Sequence, residues 1–233
     1  MALGIVQTII AEANADAVTT ASYTITAGNN CVLMGASNGD EVNTTTHTIT
    51  GTPSFTQRAI RNLGDTGQQG AASAHTHMNS AGHAAITTTI TMPSDFDSGI
   101  SMTITELSGG ETAFTGATGE ASSNSGTPSV TLTLNGDASY VFGAASDWAA
   151  SGNFTAGTGE TLLNTHHIAA AYSSGEWHST STQAAGSYTS DGAGSATRDF
   201  NCVAIEMRAA AGAASLPKPP VIISQAVNRA SRY

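Results

Sequence analysis

Residues 128–145 read PSVTLTLNGDASYVFGAA. Val130, Leu132 and Leu134 alternate with Ser129, Thr131 and Thr133. A period of two puts one set of side chains on each face of a β-strand. Asn135-Gly136 follows, a dipeptide that accepts the positive φ angles of a tight turn. Tyr140 and Phe142 then alternate with Val141 and Gly143. The stretch predicts two strands joined as a hairpin.

Similar runs recur along the chain, each closed by turn residues. Strands are expected at 4–13, 22–27, 31–37, 43–50, 55–63, 75–80, 84–92, 100–107, 161–171, 176–183 and 196–209. Gly28-Asn29-Asn30, Asn38-Gly39-Asp40, Gly51-Thr52-Pro53 and Ser108-Gly109-Gly110 stand between them. Residues 116–127 and 187–195 have little apolar content and are expected to be surface loops. No segment sustains a helical period, and the Thr-rich, β-branched runs disfavour helices. Many short strands at turn-bounded intervals predict an all-β sandwich, barrel or jelly roll.

A chain of 233 residues is long enough for a full core in one domain. Charged residues make up 10%, against ~25% in an average soluble protein. Thr, Ser, Gly, Asn and Ala fill the difference, which resembles extracellular and virion surfaces. The net charge of −10 argues against nucleic acid as a partner. Cys31 and Cys202 each sit in an apolar strand-like run and read as buried thiols, with a disulfide between an early and a late strand as the alternative. The first residues, MALGIVQTIIAEANADA, lack the basic region of a signal peptide, and no run approaches the ~20 apolar residues of a membrane span. The expectation is a protein made in the host cytoplasm that reaches a surface by assembly into a particle, with no membrane contact.

Composition changes after Ala209. AAAGAAS is small and flexible, LPKPP is stiff and extended, and VIISQAVNRASRY combines an apolar run with basic residues. Four of the seven Lys and Arg residues follow Glu206, the last acidic residue. Residues 211–233 therefore read as an extended arm. Pro217, Lys218, Val221, Ile222, Ile223, Arg229, Arg232 and Tyr233 are its candidate assembly residues, adding a strand to a neighbouring subunit or another protein.

Four passages together resemble a known family. They are NNCVLMGAS, SGTPSVTLTLNGDASYVFGAAS, TAGTGETLLNT and SATRDFNCVAIEMRAA. Their order is similar to that of the jelly-roll, lectin-like β-sandwich modules of bacterial surface proteins and phage virion structural proteins. The resemblance spans about 4–210 and carries no catalytic signature. It implies an antiparallel jelly-roll β-sandwich over 1–210. The His-rich stretch 74–83 departs from the family, which usually carries an aromatic strand there.

Chemistry-bearing residues are few. His75 and His77 lie two apart, so a strand would place both on one face, where they could bind a transition metal with His83 or a symmetry mate. Asp95 and Asp97 offer clustered oxygens without calcium-loop spacing. Trp148, Trp177, Tyr172 and Tyr188 are aromatic candidates for stacking on sugars. Acidic residues are few and scattered and no phosphate loop is present in the sequence, so no catalytic set or cofactor is expected. Two functions follow as expectations. The first is a virion surface protein, a capsid decoration or head-fibre subunit, that binds copies of itself and other virion proteins. The second is a carbohydrate-binding adhesin module that recognises host glycans.

Overall fold

The structure, a computed structural model, describes residues 2–39, 46–62, 69–93, 99–123, 126–147, 153–168, 172–192 and 199–211. Every regular element among them is a strand. The first half contains β1 (Gly4–Ala13), β2 (Ala17–Thr19), β3 (Tyr23–Ile25), β4 (Asn30–Gly39), β5 (Thr48–Gly51), β6 (Thr56–Arg61), β7 (Gln69–His77), β8 (His83–Ile86), β9 (Thr88–Thr91) and β10 (Gly99–Ser108). The second contains β11 (Thr118–Ser123), β12 (Ser129–Leu134), β13 (Ser139–Asp147), β14 (Glu160–Ile168), β15 (Tyr172–Ser179), β16 (Gly186–Asp191) and β17 (Phe200–Arg208).

These strands form a stack of antiparallel layers. One inner sheet has the order β1-β10-β4-β7-β6, the other β11-β17-β13-β15-β14. Val32, Met34, Ala72, Ala74 and Leu107 of the first meet Phe142, Ala144, Val203, Ile205 and Met207 of the second in one core. The outer face of the second sheet carries the pair β12-β16, closed over Val141, Trp177, Cys202 and Ala204. The outer face of the first carries the short pairings β2-β9-β5 and β3-β8, closed over Cys31, Leu33, Met102 and Ile104.

The two halves repeat one topology. β1, β4, β6, β7 and β10 occupy the sheet positions of β11, β13, β14, β15 and β17. The pairings β2-β9 and β3-β8 together do the work of the single ladder β12-β16. Registers agree as well. Setting Glu106 equal to Glu206 makes Gly35 the equivalent of Ala145. The edge bulges at Gln57/Ala59 and Leu162/Asn164 independently make Ser73 the equivalent of Gly175. Gly35 pairs with Ser73 and Ala145 with Gly175, so the two alignments meet.

Several expectations change. The Asn135-Gly136 stretch is not a hairpin: β12 pairs with β16, while β13 pairs with β15 and β17 in another layer. Alternation in β12 is genuine, with Val130, Leu132 and Leu134 buried, but that face covers the inner sheet rather than extending it. Gly136 has no positive φ among the described residues, and the corner is held instead by Glu206, which accepts the Asn135 and Gly136 N–H groups. The stretches expected as loops at 116–127 and 187–195 contain β11 and β16. Their Gly, Ser and Thr residues pair with strands richer in apolar side chains, which supply the burial. Likewise β7 begins at Gln69, not His75, because Ala71, Ala72 and Ala74 fit a closely packed interior. The all-β class and the antiparallel sheets stand as expected. The arm residues 217–233, Trp148, Asp95 and Asp97 lie outside the described residues.

Candidate functional site

Repeated topology makes the differences between halves informative. Across the stack, β10 lies over β14 and β15, while its counterpart β17 lies over β6 and β7. On the β17 side the facing residues are apolar: Val203 and Ile205 against Ala72 and Ala74. On the β10 side the equivalent positions are Thr103 and Thr105 against Ser174 and Glu176, all buried. One half of the central interface is therefore greasy and the other polar.

Glu176 is the centre of the polar half. It is fully buried, and its Oε1 accepts the Ser101 hydroxyl at 2.5 Å. Ser101 Oγ also lies 2.7 Å from Ser174 Oγ. Burial pushes the Glu176 carboxyl up to about 8; hydrogen bonds from Ser101 and Asn164 oppose the rise and the Glu12 charge adds to it. At neutral pH the group is a neutral acid. Beside it, β14 presents Asn164 opposite Glu176 and His166 opposite Ser174. His166 Nδ1 stands 3.5 Å from Glu12 Oε2 on β1. Two further buried atoms here, Thr103 Oγ1 and His166 Nε2, make no hydrogen bond. Such a gathering of unpaired polar atoms is the setting for internal water and for holding a proton.

Two other glutamates act as clamps. Glu206 accepts the N–H groups of Ala117, Asn135 and Gly136 and the Ser139 hydroxyl, at 2.7 to 3.1 Å. Its counterpart Glu106 accepts the Thr26 N–H at 2.8 Å and the side-chain amides of Asn29 and Gln7. For both, burial raises the carboxyl, and the hydrogen bonds outweigh it, so each is held below the usual carboxylate range.

The residues expected to carry function are placed as follows. Trp177 is fully buried, stacked on Phe154 at 6.4 Å, with its indole N–H donating to Ser190 Oγ at 2.9 Å. A sugar has no face of it to stack on, which corrects the glycan-contact expectation for this residue. Burial explains the error: an isolated Trp in a polar strand looks exposed until a second layer, β12-β16, is laid over it. Tyr188 is half-buried and donates its hydroxyl to Glu160 Oε1 at 2.9 Å. Burial raises Glu160 to about 7. His75 and His77 do share a face of β7 but not an environment. His75 is buried with Nε2 3.0 Å from Ser73 Oγ, and Ser73 is also held by His47 at 2.6 Å. Burial lowers His47 to about 3 and His75 to about 4, so both are neutral rings in a buried chain that ends on Ser37. His77 donates from Nδ1 to the Ser54 carbonyl and sits against His83, ring centroids 5.8 Å apart. Among the described residues no three His, Cys, Asp or Glu side chains are placed to hold a metal ion together. Cys31 and Cys202 are free and buried. No helix among the described residues is long and apolar enough to cross a membrane.

Glu176 was not singled out by sequence, although one signal was present: in Tyr172–Ser179 it shares a face with Ser174 while Trp177 takes the other. Compared with protein-family models, characterised proteins and solved structures, the chain matches none.

Proposed function

We propose that the protein is a structural subunit of a virion surface, a capsid decoration or head-fibre protein, acting by association with its own copies and with other virion proteins. The observation that carries this reading is where the ionisable side chains sit. Glu106, Glu176, Glu206, His47 and His75 are buried in hydrogen-bonding roles inside the body. The outer layers instead present hydroxyls, among them Thr19, Thr48, Thr50, Thr131, Thr133 and Thr189, all exposed. A charge-poor hydroxyl surface over a heavily hydrogen-bonded interior suits a durable coat component. In each half the first and last strands are neighbours in the inner sheet, and the strands next to them in sequence pair in the outer layer. That wrapping supports the finer reading of each half as a reduced jelly roll. Residues 217–233 act in this scheme as an arm onto a neighbour.

Mass spectrometry of gradient-purified particles from the producing culture tests the proposal. Many copies per particle are expected. Abundant chain in the lysate with none in particles would overturn it.

A further inference from the structure

The outer ladder β12-β16 meets the inner sheet at one of its ends through two carboxyl groups. Asp191 is the last residue of β16 and Glu160 the first of β14. Glu160 is 8% exposed and accepts the Tyr188 hydroxyl at 2.9 Å; the Ser190 hydroxyl and the Asp191 N–H also bond to it. Ser190 Oγ in turn accepts the Trp177 indole N–H. The Asp191 carbonyl accepts the Gly157 N–H at 3.2 Å, and the Gly157 carbonyl accepts the Glu160 N–H at 3.2 Å, so the turn before β14 is tied to both acids. Gly157 makes room for the Asp191 carboxyl, because a Cβ there would lie 1.2 Å from Asp191 Oδ1. That oxygen is buried and has no hydrogen-bond partner.

Two like charges gathered in one partly dry place oppose each other's ionisation. The other titratable groups acting here are Tyr188 on β16 and Cys202 on β17, both neutral because burial raises each. Among the described residues no Lys, Arg or His charge acts on either carboxyl. β12 contributes only Ser, Val, Thr and Leu, and His178 on β15 turns to the opposite face, against Tyr140 and Phe142. Burial and the Asp191 charge raise Glu160 to about 7, and burial raises Asp191. The repeated fold offers a comparison. The register that makes Ser73 the equivalent of Gly175 makes Phe55 the counterpart of Glu160, and Phe55 packs on His77. The same place is a ring contact in one half and an acid pair in the other.

We propose that Glu160 and Asp191 together retain one proton and act as a pH-operated latch, closing the end of β16 on β14 while the proton is present and releasing it when both are ionised. Glu160 is raised in the closed state and returns to the ordinary carboxyl range when the strand end opens. The latch is therefore complete at acid pH and weakens as pH rises from about 4.5 to about 7.

Native-state hydrogen exchange of the full chain, read by mass spectrometry and corrected for the intrinsic pH dependence of amide exchange, follows residues 157–160 and 186–192. Between about pH 5 and about pH 8 their protection is expected to fall at least about tenfold more than that of β4, one pKa unit being a factor of ten. Comparison with β4 separates the latch from any loss shared by the whole body. Glu160→Gln should abolish the extra fall and Asp191→Asn should reduce it. No extra fall in the wild-type chain, or an undiminished one in Glu160→Gln, would overturn the latch. An unchanged fall in Asp191→Asn would mean that Glu160 titrates alone, and the pair is then refuted. Calcium that restores protection at pH 8 in the wild-type chain but in neither variant would replace the proton latch by a cation site. Should a variant fail to fold, carbon-13 NMR of the wild-type carboxyls decides. Glu160 and Asp191 are expected to titrate together close to pH 7, and titration of both below about pH 5 would end the proposal.

Discussion

Replacing Glu206 by alanine should be among the most damaging single changes in the chain. The carboxylate is fully buried and gathers three backbone N–H groups and one hydroxyl from the β11 approach, the β12-β13 corner and the start of β13. Without it, Ala117 and Asn135 can reach water, being partly or fully exposed, but Gly136 N–H and Ser139 Oγ are buried. Each buried group left without a partner costs about 1–3 kcal/mol, and the corner between layers loses its anchor as well. The expected loss is about 3–5 kcal/mol. Glu106→Ala is the internal comparison. It frees one backbone N–H and two side-chain amides that can turn to solvent, so about 1–2 kcal/mol is expected. Urea unfolding followed by circular dichroism at pH 7 measures both. The pH dependence is a second check. Glu206 is held below its ordinary value in the folded state, so its stabilisation is complete above the unfolded carboxyl pKa and is lost as pH falls through the folded one. The Glu206→Ala variant should therefore lose less stability than wild type on acidification. A cost below about 1 kcal/mol, or a larger cost for Glu106→Ala, would refute the clamp.

Glu176 predicts the opposite slope. Its folded pKa of about 8 lies above the unfolded carboxyl value, so wild-type stability should decline as pH rises from about 4.5 to about 8. Glu176→Gln should flatten that decline and be the more stable protein at pH 9, by about 2 kcal/mol or more in a urea titration. Gly143→Ala should destabilise by about 1–3 kcal/mol, because a Cβ there overlaps the Trp177 indole, and the cost should shrink in a Trp177→Leu background. Burial raises the Cys31 thiol to about 12 and the Cys202 thiol further, so a thiol-reactive dye should label neither in the native protein and both in denaturant.

The strand content was legible because it is local. Alternation in Val130, Leu132 and Leu134, and the apolar runs around Cys31 and Cys202, need no knowledge of neighbours to specify an extended chain with one or two buried faces. The repeat left a trace too, in the glutamates near the ends of β10 and β17, but the side chains between these landmarks have diverged. The Asn-Gly corner shows why pairing was not legible. A turn dipeptide states that the chain bends, while the choice between a hairpin and a change of layer belongs to Glu206, which lies seventy residues away from Gly136.

What the amino-acid order settled by itself is the material: extended segments, bends between them, a charge-poor exterior and a basic, apolar final segment. Partners across the stack decided everything that makes sites. Glu176 becomes a neutral acid because β10 lies over it, Trp177 becomes core because β12-β16 covers it, and Ile10 stays half exposed because its sheet ends there. The physical reason is that backbone preference acts over a few residues, whereas desolvation is set by whatever the fold brings from elsewhere in the chain.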